Sequence, residues 1–535
     1  MNSPCIREAA EALPCRGCFP ASLLASPGAS TPDRAAGVFS SYWHDALAST
    51  LHPRFDFTNH ESLPSLEASF GKFLAAFPQY SQTEAADVIR AEEYHHLADR
   101  RRVCLDYIGF GLYSYHQMRT CLQAGAALSS SSFPPFPLFE VSYKDGCGGS
   151  ESESMIRTRL MEFMNVSESE YSMAFTANHS SALEALAERY PFKGHRTLLT
   201  AYDCEHEAVD RMVERAMRRG AKIRTAKFTW PNLGVVSARF RKALERKRRG
   251  LLVFPLQSQM SGTRYSYQWM SLAQERGWHV ALDASALGAK EMDTLGLSIF
   301  RPDFLICSAY AVFGDNPSGF GCLFVKKSTA PILSDSSTAT ITLEGSSSSS
   351  SSAKLESKSK LASPLEFRGL DHADTLGLIR ISSRTRYLAN WLVNALLSLV
   401  HPSTEARLPL VRIYGPGILF DRGSSVAFNV FDWKGEKISP ALVQKLADRN
   451  NISLSCGVLK QISFADKSEE ARVRRAEKMP EGQPRVSVVS AVVGFLTDFA
   501  DVYALWVFVS RFLDADFVEK ERWRYVALNQ KTIEV

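Results

Sequence analysis

The sequence predicts an α/β protein: a large domain on a mostly parallel sheet, followed by a smaller C-terminal α+β domain. Three observations predict it. Apolar strands alternate with amphipathic helices from about Arg101 to Ser285. The strands are near-continuous apolar runs, as strands covered by helices on both faces must be. Beyond about residue 380 the pattern turns to a long helix and then to strands in a different order, and 535 residues are too many for one core.

The elements follow in order. Residues 1–95 form an N-terminal extension, partly disordered, with short helical stretches such as Ser65 to Phe77. The large domain is expected over 96–380. RRVCLDYI reads as a strand, and MIRTRLMEFMN as a helix with Ile156, Leu160 and Phe163 on one stripe. YSMAFTA, TLLTAYD, KIRTAKF, LLVFPLQ and HVALDAS are strands. Between them lie the helices SSALEALAERY, HEAVDRMVERAMRRG, SARFRKALERKRRG and YQWMSLAQERG. FLICSAY and FGCLFVKK are strands around the breaker-rich turn GDNPSG. Residues 334–364 are polar and low in complexity, which predicts a disordered insertion. A long helix over ADTLGLIRISSRTRYLANWLVNALLSLVHP leads into the C-terminal domain, residues 381–535. There VRIYGP, SSVAFNVFDW, NISLSCGVL and PRVSVVSAVVGF are strands and SPALVQKLADRN is a helix. A last helix carries Val502, Leu505, Trp506, Val509 and Phe512 at core spacing, with Thr497 and Asp498 as candidate N-caps.

A net charge of +5 is weak for this length and implies neither a nucleic-acid nor a membrane partner. The apolar run Val486 to Leu513 is interrupted by Gly494, Asp498, Asp501 and Arg511, so it reads as strand, turn and helix rather than a membrane span. Seven Lys and Arg between Arg239 and Arg249 read as a solvated helix face, with Phe240 and Leu244 on the packed side. Ten scattered cysteines fit reduced thiols in an intracellular compartment. The Cys15–Cys18 pair lacks the further ligands of a metal site, and no metal is expected. The cytoplasm is the expected location. A plastid is the alternative, because residues 1–40 are rich in Ala, Ser and Pro with few acids.

In an α/β sheet, ligands sit at the carboxyl ends of the strands. Several polar residues fall there. Ser180 and Ser181 open a helix, and a helix N-terminus with hydroxyls suits an anion. His206 starts another helix after TLLTAYD, Asp283 ends HVALD, and Ser308 and Tyr310 end FLICSAY. Singly, such residues are usually caps or structural groups; their order gives them meaning together.

In that order the sequence resembles the pyridoxal-phosphate-dependent class V aminotransferases, specifically the cysteine desulfurase group. Among these it looks most like the N-terminal domain of plant molybdenum cofactor sulfurases and their sulfurase-like relatives. The stretches that carry the resemblance are CLDYIGFGLYS, MAFTANHSSALEALAERYPF, YDCEH, VFPLQSQMSGTRY, VALDASA, DFLICSAYAVFGDNPSGFGCLFVKKS and RGLDHADTLGL. The resemblance implies the fold-type-I architecture of pyridoxal-phosphate transferases and pyridoxal 5'-phosphate as cofactor. It implies that Ser180 and Ser308 contact the cofactor phosphate, His206 stacks on the pyridine ring, and Asp283 faces the ring nitrogen. Tyr310 falls where sulfurases carry an aromatic residue. Gln257, Ser258 and Gly262 fall in a polar loop beside the site. A dimer, of two copies or with a related subunit, is the implied assembly.

The departures point the other way. Ala311 stands where the family carries its Schiff-base lysine, the imine partner and proton shuttle. Ala286 stands where many relatives have a glutamine, and the persulfide-forming cysteine loop has no counterpart. Cys456 is the single thiol in that region, expected to be buried on a strand. Lys290, Lys326 and Lys327 are expected to point away from the strand ends. With no catalytic residue assignable, the expected function is a sulfurase-like protein that has lost catalysis and holds its cofactor without a covalent bond. An active sulfur-transfer enzyme and a structural or regulatory dimer partner are the alternatives.

Overall fold

The structure, a computed structural model, describes residues 56–96, 102–106, 114–116, 119, 151–246, 249–291, 300–308, 320–334, 367–402, 407–417, 422–479 and 482–531. Tyr310, Ala311, Cys15, Cys18 and nearly all of the Ser-rich segment lie outside these residues.

The chain enters through helices α1 (Leu66–Ala76) and α2 (Glu84–Glu93). Ser65 caps α1 by accepting from the Ala68 N–H, as the serine before an apolar run predicts. The strand expected over RRVCLDYI is reduced, within its described residues, to β1 (Val103–Cys104). Helix α3 (Glu151–Phe163) then leads into the β/α series. In chain order these elements are β2 (Tyr171–Thr176), α4 (His179–Arg189), β3 (Thr197–Thr200), α5 (Glu207–Arg218), β4 (Lys222–Thr225) and α6 (Ser237–Leu244). After them come β5 (Gly250–Pro255), α7 (Gln268–Glu275), β6 (His279–Asp283), β7 (Phe304–Ser308) and β8 (Gly321–Lys326).

These strands form one seven-stranded sheet in the order β2-β8-β7-β6-β5-β3-β4. All pairs are parallel except the two that β8 makes, with β2 and with β7. The central strands alternate between faces. Leu198, Leu251, Val253, Ala281, Phe304 and Ile306 meet the apolar sides of α4 and α5. Leu199, Leu252, Val280, Leu282 and Leu305 meet α3, α6 and α7. Each such fully buried aliphatic side chain is worth about 1.5–3 kcal/mol, so both layers are held by the apolar pattern read from the sequence.

The consequence for function is geometric. The carboxyl ends of β2, β3, β5, β6 and β7 share one edge. Because β8 runs backwards, its first residue, Gly321, lies at that same edge opposite Ser308. A Cβ on Gly321 would sit 2.5 Å from the Asn178 carbonyl oxygen. Glycine is what lets the start of α4 close down on the sheet edge.

The long helix α8 (Arg368–Leu397) is interrupted at Gly377, whose φ of 74° breaks the helical run. Its Leu388, Trp391, Leu392 and Leu396 form a second core with a four-stranded antiparallel sheet. That sheet comprises β9 (Val411–Tyr414), β10 (Ser425–Val430), β11 (Ser455–Leu459) and β12 (Val486–Val492), in the order β9-β10-β12-β11. Helix α9 (Pro440–Arg449) packs on this sheet. The expected helix after Asp498 is α10 (Phe499–Ser510), closed by a capping box between Asp498 and Asp501. It is not the last helix. Residues Ala515–Lys531 form α11, whose mixed polarity and exposed Trp523 and Val526 disguise it in the sequence.

Helix α1 belongs to this second core, while Ala86 of α2 lies in the core of the seven-stranded sheet. Phe73 packs on Phe499 with ring centroids 4.7 Å apart. Arg384 of α8 is buried, pairs with Asp87 of α2 and donates to the Thr497 carbonyl at 2.8 Å.

Cys456 corrects an expectation. The residue is exposed on β11 rather than buried. Its sulfur still lies against the Pro440 carbonyl at 3.5 Å. Desolvation there, with the Asp106 and Asp448 charges adding to it, pushes the thiol up to about 12, the opposite of an activated nucleophile.

Candidate functional site

Asp283, the last residue of β6, is buried and lines a cleft at the carboxyl edge of the sheet. His206, Tyr202, Gln257, Ser285 and Ala286 line it too, and it is partly open to solvent. The topology therefore unites Asp283 and His206 from separate strands, as their strand-end positions predict.

The Asp283 carboxylate is closely bonded. Its Oδ2 accepts the Tyr202 hydroxyl at 2.7 Å, and its Oδ1 accepts the Ser285 N–H at 3.0 Å. His179 adds a third contact, Nε2 to Oδ1 at 3.0 Å. Burial opposes the negative charge, but the two histidines and the Tyr202 hydroxyl outweigh it, so the carboxyl is held well below its usual range. His179 moves the opposite way. Burial disfavours its cation, and the Asp283 charge and hydrogen bond reverse that, leaving its pKa raised.

His206 stands at the N-cap position of α5, without a capping side-chain hydrogen bond, and lies edge-on to His179, with ring centroids 5.2 Å apart. Burial first, then the His179 charge, lower its pKa to about 4. It is thus a neutral imidazole at neutral pH. Its Nδ1 is buried with no hydrogen-bond partner.

Ser180 stands in the first turn of α4, where Asn178 caps the helix by accepting from the Ser181 N–H at 2.9 Å. The Ser180 hydroxyl donates to Glu184 at 3.2 Å. Ser308 ends β7, the strand paired with β6. Ala286 offers its carbonyl to the Gln257 side-chain amide at 3.0 Å, so Gln257 braces the segment after Asp283.

A second buried carboxylate adjoins the cleft. Asp203 accepts the Ser258 hydroxyl at 2.7 Å and the Ser261 hydroxyl at 2.8 Å. Burial raises its pKa although both hydrogen bonds oppose the rise. Ser261 also presents its carbonyl to the buried guanidinium of Arg422 at 3.0 Å. This places the loop after β5 between the two sheets, and Gly262, at φ 69°, leaves no room for a Cβ against the Ser425 carbonyl.

His179, Tyr202 and Asp203 were not among the residues singled out from the sequence. The signal for His179 was faint: a histidine directly after a good cap residue, with its partner 104 positions away.

No protein-family model matches the chain. Relatives do. Molybdenum cofactor sulfurase of Homo sapiens is 26% identical over 400 residues, covering 69% of this chain and 43% of the human protein. That of Solanum lycopersicum is 24% identical over 445 residues, covering 74% and 52%. That of Drosophila ananassae is 24% identical over 486 residues, covering 80% and 60%. The chain spans about half the length of these curated relatives, which come from animals as well as a plant. Among solved structures, the apo cysteine desulfurase of Thermococcus onnurineus NA1 superposes with a TM-score of 0.55 at 16% identity, covering 80% of this chain and 98% of that one. The cysteine desulfurase CsdA of Escherichia coli gives 0.53 at 17% identity, covering 80% and 98%. The fold is that of these enzymes. The chain thus resembles the class V aminotransferase and cysteine desulfurase superfamily, and pyridoxal phosphate is the cofactor that this resemblance supports.

The residues present fit that cofactor in kind. Asp283 would face the ring nitrogen, the neutral His206 its ring face, and Ser180 with the α4 N-terminus its phosphate. When bound, the cofactor supplies an electron sink. Here the protein contributes a buried anion, a flat neutral ring and a helix start to hold it. One feature runs against the fit: His179 already occupies the carboxylate.

Proposed function

We propose that the chain is a molybdenum cofactor sulfurase-like and cysteine desulfurase-like protein that keeps the cofactor scaffold but has lost its covalent chemistry. The observation that carries this reading is Ala311 in SAYAVFG, at the position where the resemblance puts the Schiff-base lysine. A methyl group offers neither a nucleophile nor a transferable proton. Loss of the acid–base role alone costs about 10²–10⁴-fold in rate.

The lysines support the reading: Lys460, beside His206, pairs with Asp210 at 3.2 Å, and Lys290 and Lys326 are paired or distant. Lys290 pairs with Asp374 at 2.6 Å and lies over the Phe163 ring. Lys326 ends β8, the strand whose other end lies at the site edge, about 17 Å away at strand spacing. Cys456, with its thiol pushed up to about 12, is a poor persulfide carrier. The protein then acts by binding. A second copy or a related subunit is the partner class this reading favours.

The test is turnover. Purified protein supplied with pyridoxal phosphate, L-cysteine and a thiol reductant should form alanine and sulfide no faster than the cofactor alone. Turnover that disappears in Asp283→Asn would overturn the reading in favour of an active sulfur-transfer enzyme.

A further inference from the structure

The ring-nitrogen seat is where the molecule says more than its family does. Two anchors define the place of a phosphorylated pyridine here: the start of α4 at Ser180 and the carboxylate at the end of β6. His179 precedes Ser180 on α4 and its Nε2 lies 3.0 Å from the Asp283 Oδ1. Its side chain thus spans the gap between the two anchors. Its ring also lies 5.2 Å from His206, the imidazole that would stack on the pyridine. The Asp283 side chain is only 2% exposed, and its oxygens already accept from His179, Tyr202 and the Ser285 backbone. Tyr202 is buried and the Ser285 donor is a backbone N–H, so both of these bonds belong to the frame of the cleft. His179 is the contact that comes from a helix's first turn rather than from a strand end, and its side chain is 13% exposed.

We propose that His179 is a resident plug of the Asp283 seat, so that a pyridinium ligand binds only by displacing the His179 imidazole. The proposal rests on the reading of this cleft as a cofactor scaffold and adds what controls its occupancy. An imidazolium and a pyridinium are chemical equivalents for a carboxylate: flat aromatic rings with one N–H aimed at an oxygen. An intramolecular imidazolium also has the advantage of being present at high effective concentration. The site therefore selects against weak or dilute pyridine ligands and opens to those that also engage the α4 N-terminus through a phosphate.

The experiment uses the full chain and 4-deoxypyridoxine 5'-phosphate, which has the ring nitrogen and the phosphate but no aldehyde. Affinity is read by isothermal titration for wild type, His179→Ala, His179→Ser, and His179→Ala combined with Asp283→Asn. The expected result is at least tenfold tighter binding by His179→Ala, the gain being abolished by Asp283→Asn. His179→Ser keeps a good helix-start residue and should show the same gain, which guards against misfolding of the alanine variant. Equal or weaker binding by both folded His179 variants overturns the plug. Binding by none of the folded variants overturns it together with the pocket on which it rests. Because the probe has no aldehyde, these outcomes are independent of any lysine chemistry. A covalent lysine adduct with pyridoxal phosphate would count against the loss of catalysis and leave the probe titration to decide the plug.

Discussion

Asp203 and Asp283 are both buried carboxylates beside one cleft, yet they are shifted in opposite directions. Asp203 receives neutral hydroxyls from Ser258 and Ser261, which fall short of repaying its desolvation. Asp283 receives a histidine that can carry the opposite charge, besides the Tyr202 hydroxyl. The difference teaches that burial does not decide the charge of a site; the partner does. Asp203 is a brace for the loop that joins the two sheets. Asp283 is a permanent anion waiting for a cationic ring, and at present the ring is the chain's own.

Replacing each carboxylate by its neutral isostere should separate them. Asp283→Asn removes the charge that His179 pairs with and should cost about 3 kcal/mol of unfolding free energy, read by urea denaturation. Asp203→Asn should cost only about 1 kcal/mol, since that carboxyl is already biased toward its neutral form. Equal losses would erase the distinction.

The pH dependence sharpens it. A depressed carboxyl stabilises the fold above the unfolded value of about 3.9, and that contribution is lost as pH falls through the folded value. The deficit of Asp283→Asn should therefore shrink below about pH 3.9. A raised carboxyl does the reverse, because the folded state must hold a proton that the unfolded chain has released. The deficit of Asp203→Asn should shrink as pH rises above about 3.9.

The histidines carry the same contrast. His206, lowered to about 4 and facing His179, Asp283, Asp210 and Lys460, lets stability rise with pH from there up to its ordinary value. His206→Gln should flatten the stability profile between about pH 4 and 6.5. His179, raised, contributes below its ordinary value and loses that contribution as pH climbs through its folded one. The smallest effect belongs to Lys290→Met. Breaking its pair with Asp374 should cost under about 1 kcal/mol and leave probe affinity unchanged, as expected of a lysine with no part in the site.

Much of this was legible in the sequence. Strands β3, β5, β6, β7 and β8 show as apolar runs because both faces are covered, whereas the edge strand β4, KIRT, is polar and part-exposed; Asp283 and His206 show because strand ends are where such sheets bind ligands. The reversal of β8 was not legible, since a strand's apolar pattern carries no direction. Nor was the plug. A histidine in a helix's first turn looks the same whether it faces solvent or reaches a carboxylate 104 residues away, and only the closing of α4 on Gly321 decides which. Asp203 was hidden for a related reason: its value comes from hydroxyls 55 and 58 positions along the chain.

The central claim is that a cofactor scaffold persists here without its covalent residue. Borohydride reduction of the full chain saturated with pyridoxal phosphate, followed by peptide mass spectrometry, tests it most directly. The account predicts no site-specific pyridoxyl label on any lysine of the wild type, and a label at position 311 in Ala311→Lys. A stoichiometric label on a single wild-type lysine, lost in Asp283→Asn, would contradict it.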